Sequence, residues 1–198
     1  IPMSSAGAWE ATYTFDRPSG QWMSPNYNDS SWRQGKAAFG TREMPGVATR
    51  WDTRDIWVRR TFDLDDDFAG EELVLKYSHD DIFELYLNGY KLVETDYSWN
   101  NEVALELSDA ARKKLRKGRN VIAAHCHNRS GGAYLDFGIY TRRPAGSLAT
   151  QAVQRSVDVL TTQTYYTFEC GPVAVGLAFT ATMPPHDLEH ISYQLNYL

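Results

Sequence analysis

His79-Asp80-Asp81-Ile82-Phe83-Glu84-Leu85-Tyr86-Leu87-Asn88-Gly89 is the stretch of sequence that decides the fold. Its side chains alternate, with Phe83, Leu85 and Leu87 on one side and more polar residues on the other, which is typical of a half-buried strand. The pair Asn88-Gly89 favours a tight hairpin turn because both residues tolerate positive φ. The stretch therefore predicts a strand that turns straight into a return strand over residues 90–93.

Short strands with turn residues between them continue outward from this hairpin in both directions. One short helix is predicted over residues 110–117, capped by Ser108-Asp109 and ended by Gly118. Many short strands at even spacing predict an all-β protein built as an antiparallel sandwich. The further strands are predicted at residues 9–15, 56–64, 73–78, 103–107, 120–128 and 133–140.

The strand over residues 56–64 carries a charge on its apolar side. Arg60 shares that side with Ile56 and Val58. A charged side chain facing a core needs a partner. We therefore expect a buried ion pair around Arg60, or a sheet edge at that point.

A linker is predicted near residues 142–147, where Pro and Gly follow two arginines. The strand pattern restarts beyond it, at residues 153–160, 164–168 and 173–182. About fifty residues of half-buried strand do not easily close a core alone. We therefore divide the chain into a β-sandwich over residues 8–143 and the start of a second, truncated β domain over residues 148–198, with the alternative that this tail packs on the first domain.

Charge and composition narrow the classes of function. The chain has 198 residues and a formal net charge of −5, and its basic residues do not form a stripe. This argues against nucleic acid as a partner. No apolar run reaches membrane-spanning length. No glycine-rich phosphate loop, serine nucleophile elbow or zinc-ligand motif is present.

An ordered set of motifs resembles the galactose-binding-like jelly-roll domains of microbial glycosidases, including relatives of β-galactosidase and β-glucuronidase. The resemblance covers roughly residues 8 to 142. It implies a jelly-roll sandwich, and domains of this kind frequently hold a structural Ca²⁺. The motifs are residues 28–32, 39–40, 55–62, 79–81, 86–89 and 118–123.

The tail is similar to the opening of the β-domain of glutaminase A-like proteins, through residues 154–164, residues 166–173 and Asp187-Leu188. That resemblance implies a secreted or periplasmic multidomain hydrolase that converts L-glutamine to glutamate in a helical domain further along the chain. The partners of the present domain would then be the C-terminal catalytic domains of the parent protein. Because none of the helical region is present, the resemblance assigns no catalytic residue.

Two loop clusters combine an aromatic ring with hydrogen-bonding groups, which is the chemistry of sugar binding. They contribute Trp51 and Asp52, and Trp99 and Asn100, as candidate ligand-binding residues. The alternative is that both tryptophans cover the open end of the sandwich.

Asp80 and Asp81 are the candidate metal ligands, because Ca²⁺ prefers carboxylate and carbonyl oxygens. The alternative is that they cap a turn and pair with Arg59 or Arg60 across the sheet. His125 and His127 share one face of a strand while Cys126 points away. Two such ligands are too few for zinc, so a structural, hydrogen-bonded role is the stronger expectation.

Three hypotheses for the function follow. The first is a non-catalytic accessory sandwich of a glutaminase A-like hydrolase, with a structural or carbohydrate-recognition role. The second is a carbohydrate-binding module of a glycoside hydrolase-type protein. The third, an enzyme that uses Asp80 or Asp81, is the weakest because no separate acid and base are apparent.

Overall fold

The computed structural model describes residues 1–66, 68, 70–142 and 152–180. The chain separates into two compact units, the first ending at residue 143 and the second beginning at residue 144. The junction between the units and the predicted motif at Asp187-Leu188 lie outside the described residues.

Two sheets form the first unit. A six-stranded sheet has the order β2-β1-β5-β10-β7-β8, and a five-stranded sheet has the order β4-β3-β11-β6-β9. Neighbouring strands pair antiparallel except for the short parallel pair β3–β4, so the predicted all-β sandwich is confirmed. The strands are β1 (Glu10–Thr14), β2 (Arg33–Lys36), β3 (Phe39–Gly40), β4 (Thr49–Arg50), β5 (Asp55–Leu64), β6 (Glu72–Asp80), β7 (Ile82–Leu87), β8 (Tyr90–Glu94), β9 (Trp99–Glu106), β10 (Gly118–His127) and β11 (Tyr134–Arg142).

The hairpin β7–β8 supplies the centre of the core, as its sequence predicts. Phe83, Leu85 and Leu87 are fully buried and lie in the main apolar cluster between the sheets. Asn88 and Gly89 adopt φ values of 49° and 87°, which is the left-handed conformation that a two-residue hairpin turn requires.

The helix is shorter than predicted, because α1 spans only Asp109–Arg112. Ser108 caps it as expected and accepts a hydrogen bond from the amide of Ala111 at 3.3 Å. Beyond the helix, the Asn120 side chain bonds both the amide and the carbonyl of Arg116. These side-chain bonds replace the next helical turn, so the chain leaves the helix before Gly118.

Arg60 lies between the sheets on an inner strand, so the alternative of a sheet edge is wrong, and its described close partners are backbone carbonyls and an aromatic ring, with Asp136 as the nearby charge. It is 5% exposed, and its Nη1 donates to the carbonyls of Pro2 at 2.7 Å and Phe137 at 3.1 Å. Its guanidinium lies 4.4 Å from the centre of the Trp9 ring. Burial lowers the pKa of Arg60 to about 10, and the charge of Asp136 offsets part of this shift.

The chain between β1 and β2 folds over the outer face of the six-stranded sheet. Trp22, from this connection, packs with Trp57 and Tyr86 in a second apolar cluster. The connection is tied down by Arg59, whose Nε donates to Asp29 at 2.8 Å and whose Nη1 donates to the carbonyls of Trp22 and Ser24. A buried ion pair therefore fixes this long connection to the sheet.

The second unit contains a three-stranded antiparallel sheet, and one face of it is apolar. The register places Val175, Leu177 and Phe179 of the last strand beside Phe168 and Tyr166 of the central strand. Among the residues that the structure describes, no helix is long and apolar enough to cross a membrane. The strands of this sheet are β12 (Val153–Val159), β13 (Gln163–Cys170) and β14 (Val173–Thr180).

Candidate functional site

The sequence-predicted site residues lie along one row at the end of the five-stranded sheet. Gly40 pairs with Tyr134, Tyr134 with Asp80, and Asp80 with Trp99. Arg50 extends the row on the other side of Gly40. Strand spacing puts about 19 Å between the two ends of the row. The Trp51-Asp52 loop and Trp99 are therefore at opposite edges of the sheet and do not form one site.

Trp51 is buried in the core, so the prediction that it presents its ring to a ligand is wrong. Its side chain is 0% exposed and belongs to the main apolar cluster. Asp52, the next residue, is exposed and pairs with the exposed side chain of Arg50. The alternative, in which the tryptophan covers the open end of the sandwich, is correct for Trp51 because its ring closes the core where β4 ends.

Trp99 has the opposite environment, because its side chain is 64% exposed. Tyr97, two residues earlier, is 56% exposed and carries the Arg129 guanidinium 5.0 Å from its ring centre. Asp80 lies beside Trp99 in the ladder, and paired residues of a sheet project from the same face. The sequence places Tyr97 in the same loop cluster as Trp99, but nothing in it pointed to Arg129. We call Trp99, Tyr97, Asp80 and Arg129 the Trp99 surface.

Asp80 and Asp81 interact with each other. Burial, a hydrogen bond to the Asp81 carboxyl group and the Asp81 charge together raise the pKa of Asp80 to about 7. Asp81 is 4% exposed and accepts a hydrogen bond from the amide of Arg129 at 2.7 Å. Two carboxyl groups in direct contact cannot both carry full charge at little cost. Asp80 therefore keeps its proton up to about neutral pH.

His79 positions the residues around this pair. It is fully buried and stacks on Phe83 with ring centres 4.9 Å apart. Its Nδ1 lies 2.8 Å from the Asp81 carbonyl and its Nε2 lies 3.1 Å from the Asn100 amide nitrogen. Burial lowers the pKa of His79, and its interactions with Asp81 offset only part of that shift. The neutral ring therefore donates through Nδ1 and accepts through Nε2.

Asn100 faces this buried histidine, away from Trp99. Its amide nitrogen donates to His79 and to Ser98 at 3.0 Å. Asn100 was predicted to bind a ligand, but its side chain instead makes hydrogen bonds within the protein. These bonds fix the start of β9.

The arginine partners proposed for Asp80 and Asp81 are incorrect. Arg59 pairs with Asp29, and Arg60 lies between the sheets near Asp136. In the described part of the chain, no group of three or more His, Cys, Asp or Glu side chains is arranged to hold a metal ion. A calcium ion at Asp80 and Asp81 would therefore need backbone and water oxygens for most of its six to eight ligands, and such a site stays a prediction.

His125 and His127 have the structural environment that the sequence favours. His125 Nε2 and His127 Nδ1 lie 2.8 Å and 2.9 Å from the same oxygen, Oδ1 of Asp55. Burial raises the pKa of Asp55, but the two hydrogen bonds together with the electrostatic interactions with the same rings outweigh it and hold the pKa below its usual value. Cys126, between the histidines, points into the core and is fully buried.

The ionisation of Asp80 gives a pH-dependent prediction. The folded protein holds the Asp80 proton up to about pH 7, whereas the unfolded chain releases it near pH 4. The stabilising contribution of the protonated Asp80 is therefore lost as the pH rises from about 4 to 7. Above pH 7 the full cost of a charged Asp80 is present in the folded protein. We expect Asp80→Asn to stabilise the protein relative to wild type more at pH 8 than at pH 5, measured by urea unfolding. An equal effect at both pH values would contradict the raised pKa of Asp80.

The arrangement at the Trp99 surface suits binding better than catalysis. Exposed aromatic faces lie beside a carboxyl group and a guanidinium, which together can stack on an apolar face of a ligand and hydrogen-bond to its hydroxyl groups. The acid and base of a glycosidase stand about 5 Å or more apart, with the substrate between them. Asp80 and Asp81 are hydrogen-bonded to each other and leave no such space.

Comparisons with known proteins define the fold class. A β-glucuronidase of glycoside hydrolase family 2 matches over 89% of this chain and 25% of its own length, with 14% identity and a TM-score of 0.50. A glycoside hydrolase family 2 member from Bacteroides cellulosilyticus matches over 82% of this chain and 23% of its own length, also with 14% identity and a TM-score of 0.50. The first unit is therefore a β-sandwich of the kind that these glycosidases contain.

The same comparisons bear on the second unit and on the tail. The first unit ends at residue 143 of 198, so a match over 89% of the chain must extend into the second unit. The chain spans about a quarter of the length of these neighbours. No model of a protein family matches the sequence, and no curated protein matches it. The neighbours named above are glycosidases, so the resemblance of the tail to glutaminase A-like proteins is not supported.

Proposed function

We propose that the chain is a non-catalytic accessory part of a glycoside hydrolase-type protein, and that its Trp99 surface binds carbohydrate. The observation that carries the proposal is the exposed ring of Trp99 beside Asp80. An indole that is 64% exposed contributes little to the core, whereas a flat ring in this position can cover the apolar face of a sugar.

The polar groups of the surface complement the rings. Asp80 accepts or donates hydrogen bonds near neutral pH because its pKa is about 7. The Arg129 guanidinium is held over the Tyr97 ring and offers several donors in a fixed plane. Sugar hydroxyl groups both donate and accept, so this mixture of groups suits them better than it suits an apolar ligand.

The partners in this proposal are carbohydrate and the remaining domains of a multidomain glycosidase. Structural neighbours that are three to four times longer than the matched region support a parent of that kind. The proposal includes a secreted or periplasmic location, where a carbohydrate-binding domain would meet glycans.

A glycan array probed with the isolated chain tests this function. We expect the chain to bind a limited set of glycans and to leave them uncleaved after prolonged incubation. The absence of binding to every glycan would remove the carbohydrate proposal. Cleavage by the isolated chain would overturn the assignment as a non-catalytic part.

A further inference from the structure

An apolar cavity lies at the end of the sandwich that is opposite to the Trp99 surface. It has a volume of about 350 Å³, which is within the range for small-molecule pockets. Leu73, near the start of β6, lines the cavity, whereas Asp80 of the Trp99 surface ends the same strand. The length of strand between these two residues is about 23 Å. The cavity and the Trp99 surface are therefore separate.

Both sheets of the sandwich contribute walls to the cavity. In the five-stranded sheet, Leu73 pairs with Thr141, and Ile139 projects from the same face because it lies two residues from Thr141. In the six-stranded sheet, Phe62 and Leu64 share a face near the end of β5. Both of these side chains are half-buried and pack against the main apolar cluster. The cavity is thus an opening into the core between the two sheets.

Phe68, in the connection between β5 and β6, forms a wall of the cavity in a strained conformation. Its φ is 54°, which is in the left-handed region, where a bulky side chain is an outlier. Its ring packs against the main apolar cluster and lines the cavity. Backbone strain of this kind persists only where the surrounding structure imposes it, and it is concentrated at functional sites. Leu115, which follows α1, is buried and forms a further wall.

The lining of the cavity offers few polar groups to a ligand. None of the described residues that line it is Asp, Glu, His, Lys or Arg. The Tyr140 hydroxyl already accepts a hydrogen bond from the amide of Met3 at 2.8 Å, whereas the side chain of Thr141 is exposed. A charged group that entered the cavity would lose its hydration without gaining a charged side chain as a partner. The lining therefore favours a neutral ligand.

We propose that this cavity binds a small neutral apolar molecule, of the size of a bicyclic aromatic ring or a medium-length alkanol. An apolar cavity of about 150 Å³ binds benzene, so the larger volume here accommodates a ligand of about twice that size. Walls on several sides suit a small molecule better than a protein surface, whose contacts spread over about 800 Å² on each partner. The proposal does not depend on carbohydrate binding, because the ligand class differs and the two sites share no residue.

The test is a titration of the full chain with ¹³C-labelled methyl groups, followed by methyl chemical shifts. The neutral apolar probes are indole, 1-naphthol and 1-octanol. Octanoate is the anionic arm, and methyl glucoside is the neutral polar arm. We expect saturable shifts at the methyl groups of Leu64, Leu73 and Ile139 with at least one neutral apolar probe. We expect weaker binding of octanoate than of 1-octanol, and no shift of these methyl groups with methyl glucoside.

Two variants change the cavity in opposite ways. Leu64→Trp fills it from the wall of β5, and Phe68→Gly removes one wall while it keeps a residue that adopts positive φ without strain. We expect each to weaken binding by about tenfold or more. Leu105→Ala, which removes an exposed apolar side chain outside the cavity, should leave the affinity unchanged. Trp99→Ala should leave it unchanged as well.

Several results would overturn the proposal. One is the absence of saturable shifts at the cavity methyl groups with every neutral apolar probe, or shifts confined to Leu177 on the apolar face of the three-stranded sheet. Another is unchanged binding in folded Leu64→Trp and Phe68→Gly variants. Tighter binding of octanoate than of 1-octanol would refute the neutral ligand class. A ligand-free dimer, detected by light scattering, whose formation shifts Leu73 and Ile139 would show that a second copy covers the cavity. None of these results decides whether the Trp99 surface binds carbohydrate.

Discussion

Replacing Arg59 with methionine is expected to lower the free energy of unfolding by about 3–5 kcal/mol, the range for removing one partner of a buried ion pair. The side chain of Arg59 is fully buried and its partner Asp29 is 16% exposed. The change leaves Asp29 without its cation and frees the carbonyls of Trp22 and Ser24 that Arg59 holds. The connection over the second apolar cluster then loses its main attachment to the sheet. Urea unfolding followed by tryptophan fluorescence measures the effect.

Two controls make this prediction specific. Arg50→Met removes an arginine from the exposed pair with Asp52, and exposed pairs are worth about 0–1 kcal/mol. Arg59→Met combined with Asp29→Leu removes both buried charges, so it should recover part of the lost stability. If Arg59→Met and Arg50→Met have equal effects, the ion pair does not hold the connection in place.

The second large effect is expected for Trp51→Ala, which should cost about 3–5 kcal/mol because it removes a fully buried aromatic ring. Trp51 is 0% exposed, and its amide also donates to the carbonyl of Gly40 at 2.8 Å. The ring fills the end of the core, so its loss leaves a cavity that the surrounding strands cannot close. Thermal and urea unfolding both report this loss.

Trp51→Phe is the matched control. The indole Nε1 of Trp51 is buried without a hydrogen-bond partner, so phenylalanine removes an unsatisfied donor while it keeps an aromatic ring in place. We expect Trp51→Phe to be clearly less destabilising than Trp51→Ala, and we expect it to leave ligand binding intact. A folded Trp51→Phe variant that no longer binds any glycan would contradict the assignment of Trp51 to the core.

The difference between Trp51 and Trp99 shows what the sequence alone could determine. Both lie in loops or at strand starts, and each is followed by a polar residue. Local pattern does not reveal which edge of a sheet a loop joins. That depends on strand order, which places β4 and β9 at opposite edges. The sequence therefore pointed to two loop tryptophans but did not distinguish the buried Trp51 from the exposed Trp99 at the opposite edge of the sheet.

Local features were predictable where the physical cause is local. The two-residue turn at Asn88-Gly89 and the inward face of Phe83 and Leu85 follow from conformation and alternation within one hairpin. The proximity of Asp80 to Trp99, in contrast, comes from pairing between β6 and β9. The partner of Arg59 comes from a residue thirty positions earlier. Such contacts cannot be predicted from a short stretch of sequence, because they join residues that lie far apart in the chain.

Isothermal titration of the best glycan from the array into Trp99→Ala and Trp99→Tyr tests the central claim most directly. Tyrosine keeps an aromatic face and alanine removes it, while both changes fall at an exposed position and should leave stability nearly unchanged. We predict that Trp99→Ala lowers the affinity by about tenfold or more and that Trp99→Tyr retains most of it. Wild-type affinity in a folded Trp99→Ala variant would contradict the claim that this surface binds carbohydrate.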